Sequence, residues 1–410
     1  MRILLTFIGF YMVMSSPLSA QKTDLWLKDL LYEQGSSLLK QILDKPEVYQ
    51  FQVVYTQIER DKQNRPSFRS YYLNYDRDRY FNPASTVKLP AALIALEKLN
   101  DLKIPSLDKY TAMLIDSNFS GQTKVDGDSS SESGYASVAN YIKKIFLVSD
   151  NDAYNRLYEF DGQELLNERL WSKGYKNTRI TRRFVPMTEE ENRNTNAIRF
   201  VKDGAEVYTQ EALRSNVKFD FNKKILIGRA HYNRQEVLVN EPMDFSRHNT
   251  FPLEEQQLML RAVLFPESTD KKHRFGLSDD DYAFLYRYMS MTPGKSDYPR
   301  YDKKEFFDSY AKFFLFRADK AAIPEHLKIF NKAGWSYGFL TDNAYIIDLD
   351  NNVEFMISAT IYVNSDGVLN DDKYDYETVG YPFFKEVGQV IYKNELQRPR
   401  KYVPDLGRFK

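Results

Sequence analysis

The eight residues Asn82-Pro83-Ala84-Ser85-Thr86-Val87-Lys88-Leu89 decide how this chain reads. Asn82 and Pro83 interrupt the strand pattern before them. From Lys88 onward Leu89, Ala92, Leu93, Leu96 and Leu99 recur at helical spacing, so Ser85 falls at a helix start. Residues three apart on a helix share a face, which sets the Lys88 amine beside the Ser85 hydroxyl. A helix start also offers unpaired backbone N–H groups and partial positive charge. Together these depress the Lys88 pKa and stabilise an oxyanion, the two things an unassisted serine lacks as a nucleophile. The same letters also describe an N-capping Ser one turn before a solvated Lys, so S-x-x-K needs company.

Outward from that stretch, Leu25, Leu27, Leu30, Leu31, Leu38, Leu39, Ile42 and Leu43 predict an amphipathic first helix that Gly35 weakens or bends. Tyr49, Phe51, Val53 and Tyr55 alternate with Gln50, Gln52 and Val54, a half-buried strand, and 68–75 reads as a second. The middle is mostly helical, with helical spacing at 141–147, 253–264 and 280–289, while 217–221 and 225–240 read as strands of a surface insertion. Strand patterns return at 335–340, 344–349 and 353–363, the last two joined by the turn residues Asp350, Asn351 and Asn352, and a final helix covers about 382–396. Neither end alone makes a stable sheet, so the two ends must share one antiparallel sheet in an α+β fold.

Two further motifs accompany Ser85 and Lys88. Ser149-Asp150-Asn151 directly follows the apolar helix 142–148, where a second hydroxyl can relay a proton to a leaving group and the Asn151 amide can hold a substrate amide. An ordinary helix-end cap uses the same residue types. Lys332-Ala333-Gly334, followed by Trp335, is expected at the head of an edge strand, where Lys332 supplies charge and Gly334 lets a substrate lie against the backbone.

In this order the three motifs resemble those of the class A β-lactamase and penicillin-binding superfamily, S-x-x-K, S-D-N and K-T-G. The resemblance covers nearly all of the chain after residue 20 and implies a β-lactamase/transpeptidase-like α+β fold: an antiparallel sheet from both chain ends with flanking helices, plus an all-helical lobe. It implies that Ser85 is the acylated nucleophile, Lys88 the base and Ser149 the proton shuttle. Asn151, Lys332, Gly334 and Trp335 would contact substrate, with the Ser85 and Trp335 backbone N–H groups as the oxyanion hole. No cofactor and no metal are implied.

Three departures bear on activity. Where the family carries R-W-E-P, whose Glu activates the deacylating water, this chain reads Arg183-Phe184-Val185-Pro186, and valine cannot accept a proton. Glu189, Glu190 and Glu191 follow, either as a substitute or as a solvated acidic run. Ala333 replaces the usual Thr, a hydroxyl that helps bind the substrate carboxylate, at a cost of about 1.5–3 kcal/mol; Ser336 is a partial replacement. The separation of Ser149 from Lys332 is also long, with a strand-rich insertion near 200–250 as the extra piece.

Residues 1–20 read as a secretory signal: Met1-Arg2, an apolar run from Ile3 to Met14, and small residues up to a cleavage site after Ala20. The run is too short for a membrane span. The chain has no Cys, which excludes disulfides, thiol catalysis and lipid anchoring at cysteine. Its 57 basic residues equal its 57 acidic ones, which argues against a nucleic-acid partner. His231, His248, His273 and His326 have no metal-ligand spacing. The expected organisation is a signal at 1–20, a hydrolase domain at 21–397 and a basic tail at 398–410. Within the domain, a sheet lobe takes 21–82 and 325–397 and a helical lobe 83–324. The expected activity is that of a periplasmic or secreted serine hydrolase acting on a β-lactam, a cell-wall peptide or an ester or amide. The alternative is a binding protein that keeps the fold and has lost turnover.

Overall fold

A computed structural model describes residues 21–119 and 121–410; the signal-sequence reading of residues 1–20 lies outside the described residues. Three short helices open the chain, α1 (Leu25–Gln34), α2 (Ser37–Leu43) and α3 (Pro46–Tyr49). The expected single first helix is thus broken at Gly35, and Ser36 restarts it by accepting hydrogen bonds from the Leu38 and Leu39 amides. Strands β1 (Gln52–Arg60) and β2 (Pro66–Leu73) follow.

The helical lobe begins with α4 (Lys88–Leu102). This helix is apolar on nearly every face and buried from Lys88 to Leu99, as a helix must be when other helices surround it. Around it lie α5 (Val138–Val148), α6 (Asn151–Asp161) and α7 (Gln163–Ser172), preceded in the chain by β3 (Ala112–Ile115). After α8 (Glu189–Arg193) come β4 (Ile198–Lys202) and β5 (Ala205–Gln210), which pair with β3 into a three-stranded sheet. This lobe is therefore not all-helical. The expected strand at 225–240 is three short pieces, β6 (Leu226–Ile227), β7 (Ala230–Tyr232) and β8 (Leu238–Val239), because turns at Gly228 and at Asn233 to Val237 interrupt it. Residues 217–221 form no strand. Then come β9 (Met243–Asp244), α9 (Leu253–Leu264) and α10 (Asp279–Ser290).

The chain returns to the sheet through β10 (Leu327–Ser336), β11 (Phe339–Asp348) and β12 (Val353–Tyr362), and ends with β13 (Val368–Leu369) and α11 (Tyr381–Gln397). The main sheet has the order β10-β11-β12-β1-β2, antiparallel throughout, so both chain ends do build it. The expected strand at 335–340 is instead a hairpin: Tyr337 and Gly338, at φ 53° and 79°, turn the chain between β10 and β11. Lys332-Ala333-Gly334 consequently lies in the second half of β10, not at its head.

Helices α1, α2 and α11 cover one face of the sheet, where Leu27, Leu39, Val387 and Ile391 pack on Val53, Ala344 and Ile357. Helix α9 and the helical lobe cover the other. With both faces covered, the polar half of the β1 alternation is buried too. Gln257 of α9 satisfies it, accepting from Thr56 Oγ1 at 2.6 Å and donating to the Val54 carbonyl and Ser358 Oγ. Residues 398–410 fold back on the domain, and Phe409 is buried against Phe265, Phe330 and Tyr345. Among the described residues no helix is long and apolar enough to cross a membrane.

Candidate active site

Ser85 sits in a 3-10 turn, Ala84–Val87, that runs into α4. The turn is held on both sides of the serine: Asn82 Oδ1 accepts from the Ala84 amide at 3.1 Å, and Thr86 Oγ1 donates to the Pro83 carbonyl at 2.7 Å. Ala84 is left-handed at φ 45°, a conformation that costs a non-glycine residue about 1–2 kcal/mol and that the surrounding bonds enforce. Gly334 explains itself here. A Cβ on it would lie 2.5 Å from the Ser85 nitrogen and 3.0 Å from the Pro83 oxygen, so only glycine lets β10 approach the serine turn this closely.

The Ser149 corner is set by capping. Ser149 ends α5 in a left-handed conformation at φ 60°, and Asp150 starts α6 by accepting from the Ala153 amide at 2.8 Å. Asp150 is thus spent on the helix, while Asn151 faces the cleft and Ser149 is buried beside it. Lys88, wholly buried, donates to the Ser149 carbonyl at 2.5 Å, to Asn151 Oδ1 at 2.7 Å and to Ser149 Oγ at 3.3 Å. Lys332 reaches the same hydroxyl from β10 at 2.9 Å and also donates to the Ala333 carbonyl. Two amines therefore converge on one serine hydroxyl.

Their protonation follows from that crowding. Burial, and next the charge of Lys332, push the Lys88 amine well below the usual lysine range, against a smaller pull from Asp150. Burial likewise brings Lys332 down to about 7, with Asp342 opposing and Lys312 assisting. The Phe184 ring stands 5.1 Å from Lys88 Nζ.

A cleft of about 380 Å³ opens over Ser85 and Asn151, with Trp335 and Ser336 of the β10 end on one wall and Phe184 and Val185 on another. The 183–186 loop is anchored by Arg183, which is buried, donates to the Glu191 and Asn194 carbonyls and faces Glu159 at 3.5 Å. Phe184 N donates to Asn155 Oδ1 at 2.8 Å. Ala333 is fully buried in the core on the far side of the sheet, whereas Ser336 lines the cleft. Glu189, Glu190 and Glu191 occupy the first turn of α8, outside the lining, where they pair with Arg193 and Arg247, with Arg214, and with the Thr188 cap. Sequence reasoning missed Arg182, Arg234 and His248, which also line the cleft. No motif marks them, since the insertion brings two of the three from a distance.

The protein is a two-lobed α+β fold with a serine turn at the seam between a five-stranded sheet and a buried helix. Residues 36–223 match the family model described as the beta-lactamase enzyme family. That match spans Ser85, Lys88 and Ser149 and stops before Lys332, which the sheet brings back to them. No curated protein matches the chain. Among solved structures, a β-lactamase from Xanthomonas campestris is similar at 14% identity and a TM-score of 0.49, over 89% of this chain and 97% of that one. One from Sphaerobacter thermophilus is similar at 10% identity and 0.47, over 91% and 98%. The TLA-1 extended-spectrum β-lactamase is similar at 17% and 0.48, over 89% and 98%. The chain thus resembles the beta-lactamase enzyme family, whose model it matches over residues 36–223.

Proposed function

We propose that this protein is a serine hydrolase, exported after cleavage near Ala20, that forms an acyl-enzyme through Ser85 on a β-lactam, a cell-wall peptide or another ester or amide. One observation carries the reading: a buried lysine with a strongly depressed pKa stands one turn from a serine at a helix start, beside a second hydroxyl bonded to a second lysine. Ser85 Oγ attacks the carbonyl carbon as its proton passes to neutral Lys88. The Ser85 and Trp335 amides receive the oxyanion. The tetrahedral centre collapses, the bond to the leaving group breaks, and that group takes the proton of Ser149 Oγ, which Lys88 replenishes across 3.3 Å. Asn151, Lys332 and Gly334 position the substrate along β10.

Water must then cleave the ester on Ser85, and here the chemistry thins. Among the described residues no Asp or Glu lines the cleft, and Val185 stands in the loop where a base would be needed. The same observation favours the second reading, a penicillin-recognising protein that captures its ligand and turns over little. Intact mass spectrometry after exposure to a penicillin and to a fluorophosphonate tests both. The expected result is one adduct on Ser85, absent from Ser85→Ala. An adduct on any other residue overturns the mechanism, and hydrolysis of a chromogenic cephalosporin at about 10 per second or faster overturns the slow-turnover reading.

A further inference from the structure

The wall of the cleft built by the loop around Arg182 and by the insertion carries unpaired charge. Arg183, Arg193, Arg214 and Arg247 each face a carboxylate, on Glu159, Glu189, Glu190 and Glu189 respectively. Arg182 and Arg234, which line the cleft with Ser85, have none within 4.0 Å among the described residues. Glu191 feels the charge of Arg234 from further away, but its carboxylate is spent on the cap of α8.

Arg182 is also held in place. Its backbone amide and that of Thr181 both donate to Asn249 Oδ1, at 3.2 and 2.7 Å, and its Nη1 meets His248 Nε2 at 3.1 Å. A guanidinium only donates, so Nε2 accepts and His248 is neutral, in keeping with burial driving it down to about 3. The insertion is in turn fastened to the sheet side. Strand β7 pairs in parallel with β13, and Asn370 donates to the Tyr232 carbonyl at 3.0 Å.

The position along β10 gives the site its meaning. Lys332 meets Ser149 at one end, Gly334 touches the Ser85 turn, and Tyr337 at the other end packs against Phe245 and His248. Only Trp335 and Ser336 separate Gly334 from the turn at Tyr337. Ser85 thus lies between the Ser149 end, where a leaving group departs, and the arginine end, where the acyl group remains. We propose that Arg182 and Arg234 form a subsite for a carboxylate on the acyl portion of the substrate, in the same cleft as Ser85. The insertion is then a specificity wall, and the assignment of ends rests on Ser85 as nucleophile.

Two esters test it: mono-p-nitrophenyl suberate, and the same compound with its far carboxylate as a methyl ester. The native chain should acylate with the charged ester about tenfold faster or more, the scale of one lost bond to a charged group. Arg182→Gln and Arg234→Gln should bring the ratio of the two rates towards one, and Arg234→Glu, at an exposed position, should invert it. Equal rates in the native chain, or a preference that survives all three substitutions, overturns the subsite while leaving the nucleophile intact. If neither ester marks Ser85, the nucleophile reading falls, and calorimetry of monomethyl against dimethyl suberate on Ser85→Ala decides the subsite separately. Selective binding of the charged compound, lost in Arg234→Glu, supports it, and indifference overturns it.

Discussion

The two walls of the cleft are built in opposite ways. The Ser85, Lys88, Ser149 and Lys332 side is assembled from helix ends and one strand, is mostly buried, and has Lys88 and Lys332 both bonded to Ser149. The side that carries Arg182, Val185, Arg234 and His248 comes from a loop and an insertion, is more open, and keeps unspent charge. One side is determined by local structure and can perform one kind of chemistry. The other is determined by long-range contacts and can change its ligand without disturbing the fold.

The largest effect expected on the first side comes from Lys88→Ala. Labelling of Ser85 by a fluorophosphonate should slow by about 10² to 10⁴, the loss that accompanies a positioned base. Unchanged labelling in a variant with native circular dichroism would mean that the walls do not divide the work in this way. Lys332→Met should do two things at once. It should weaken acylation, and it should flatten the pH dependence of stability in urea unfolding, because it removes a buried amine whose protonation the native state disfavours. Lys332 titrates near 7 when folded and near 10.4 when unfolded. Between those values the unfolded chain binds more protons, so the native protein should gain stability as pH rises, and the variant should gain less.

On the second wall the effects are smaller. Val185→Glu should speed loss of a penicillin adduct from Ser85 about tenfold or more, provided the loop held by Arg183 brings the carboxylate within about 3 Å of a water near the ester carbon. Time-resolved mass spectrometry reads this directly, and an unchanged adduct lifetime would show that position 185 does not face the ester. Glu189→Gln, Glu190→Gln and Glu191→Gln should leave the adduct lifetime as it is. A change in any one of them would identify a base supplied from α8.

The same division explains what could be read without coordinates. Ser85, Lys88 and the Ser149 corner were legible because caps and helical spacing are local, and the sharing of one sheet by both ends followed from the shortage of strands at either end. The ends of β10 were not legible, because the hairpin at Tyr337 and Gly338 depends on backbone angles that an aromatic residue does not advertise. Burial of Thr56, Asn343 and Ser358 was hidden too: alternation suggests a wet face until a helix such as α9 covers it. Arg182 and His248 are far apart in the chain, and nothing in either neighbourhood announces that their side chains meet at 3.1 Å.

The order of strands in the main sheet has a consequence in time. Strand β1 hydrogen-bonds β12, and the core between the lobes is closed by Phe409, so the first strands made have no central partner until nearly the whole chain has been synthesised. Such distant pairing makes folding slow and leaves the emerging polypeptide without a stable subdomain of its own. Under the export proposed above, that delay would be protective, keeping the polypeptide translocation-competent until its late strands arrive.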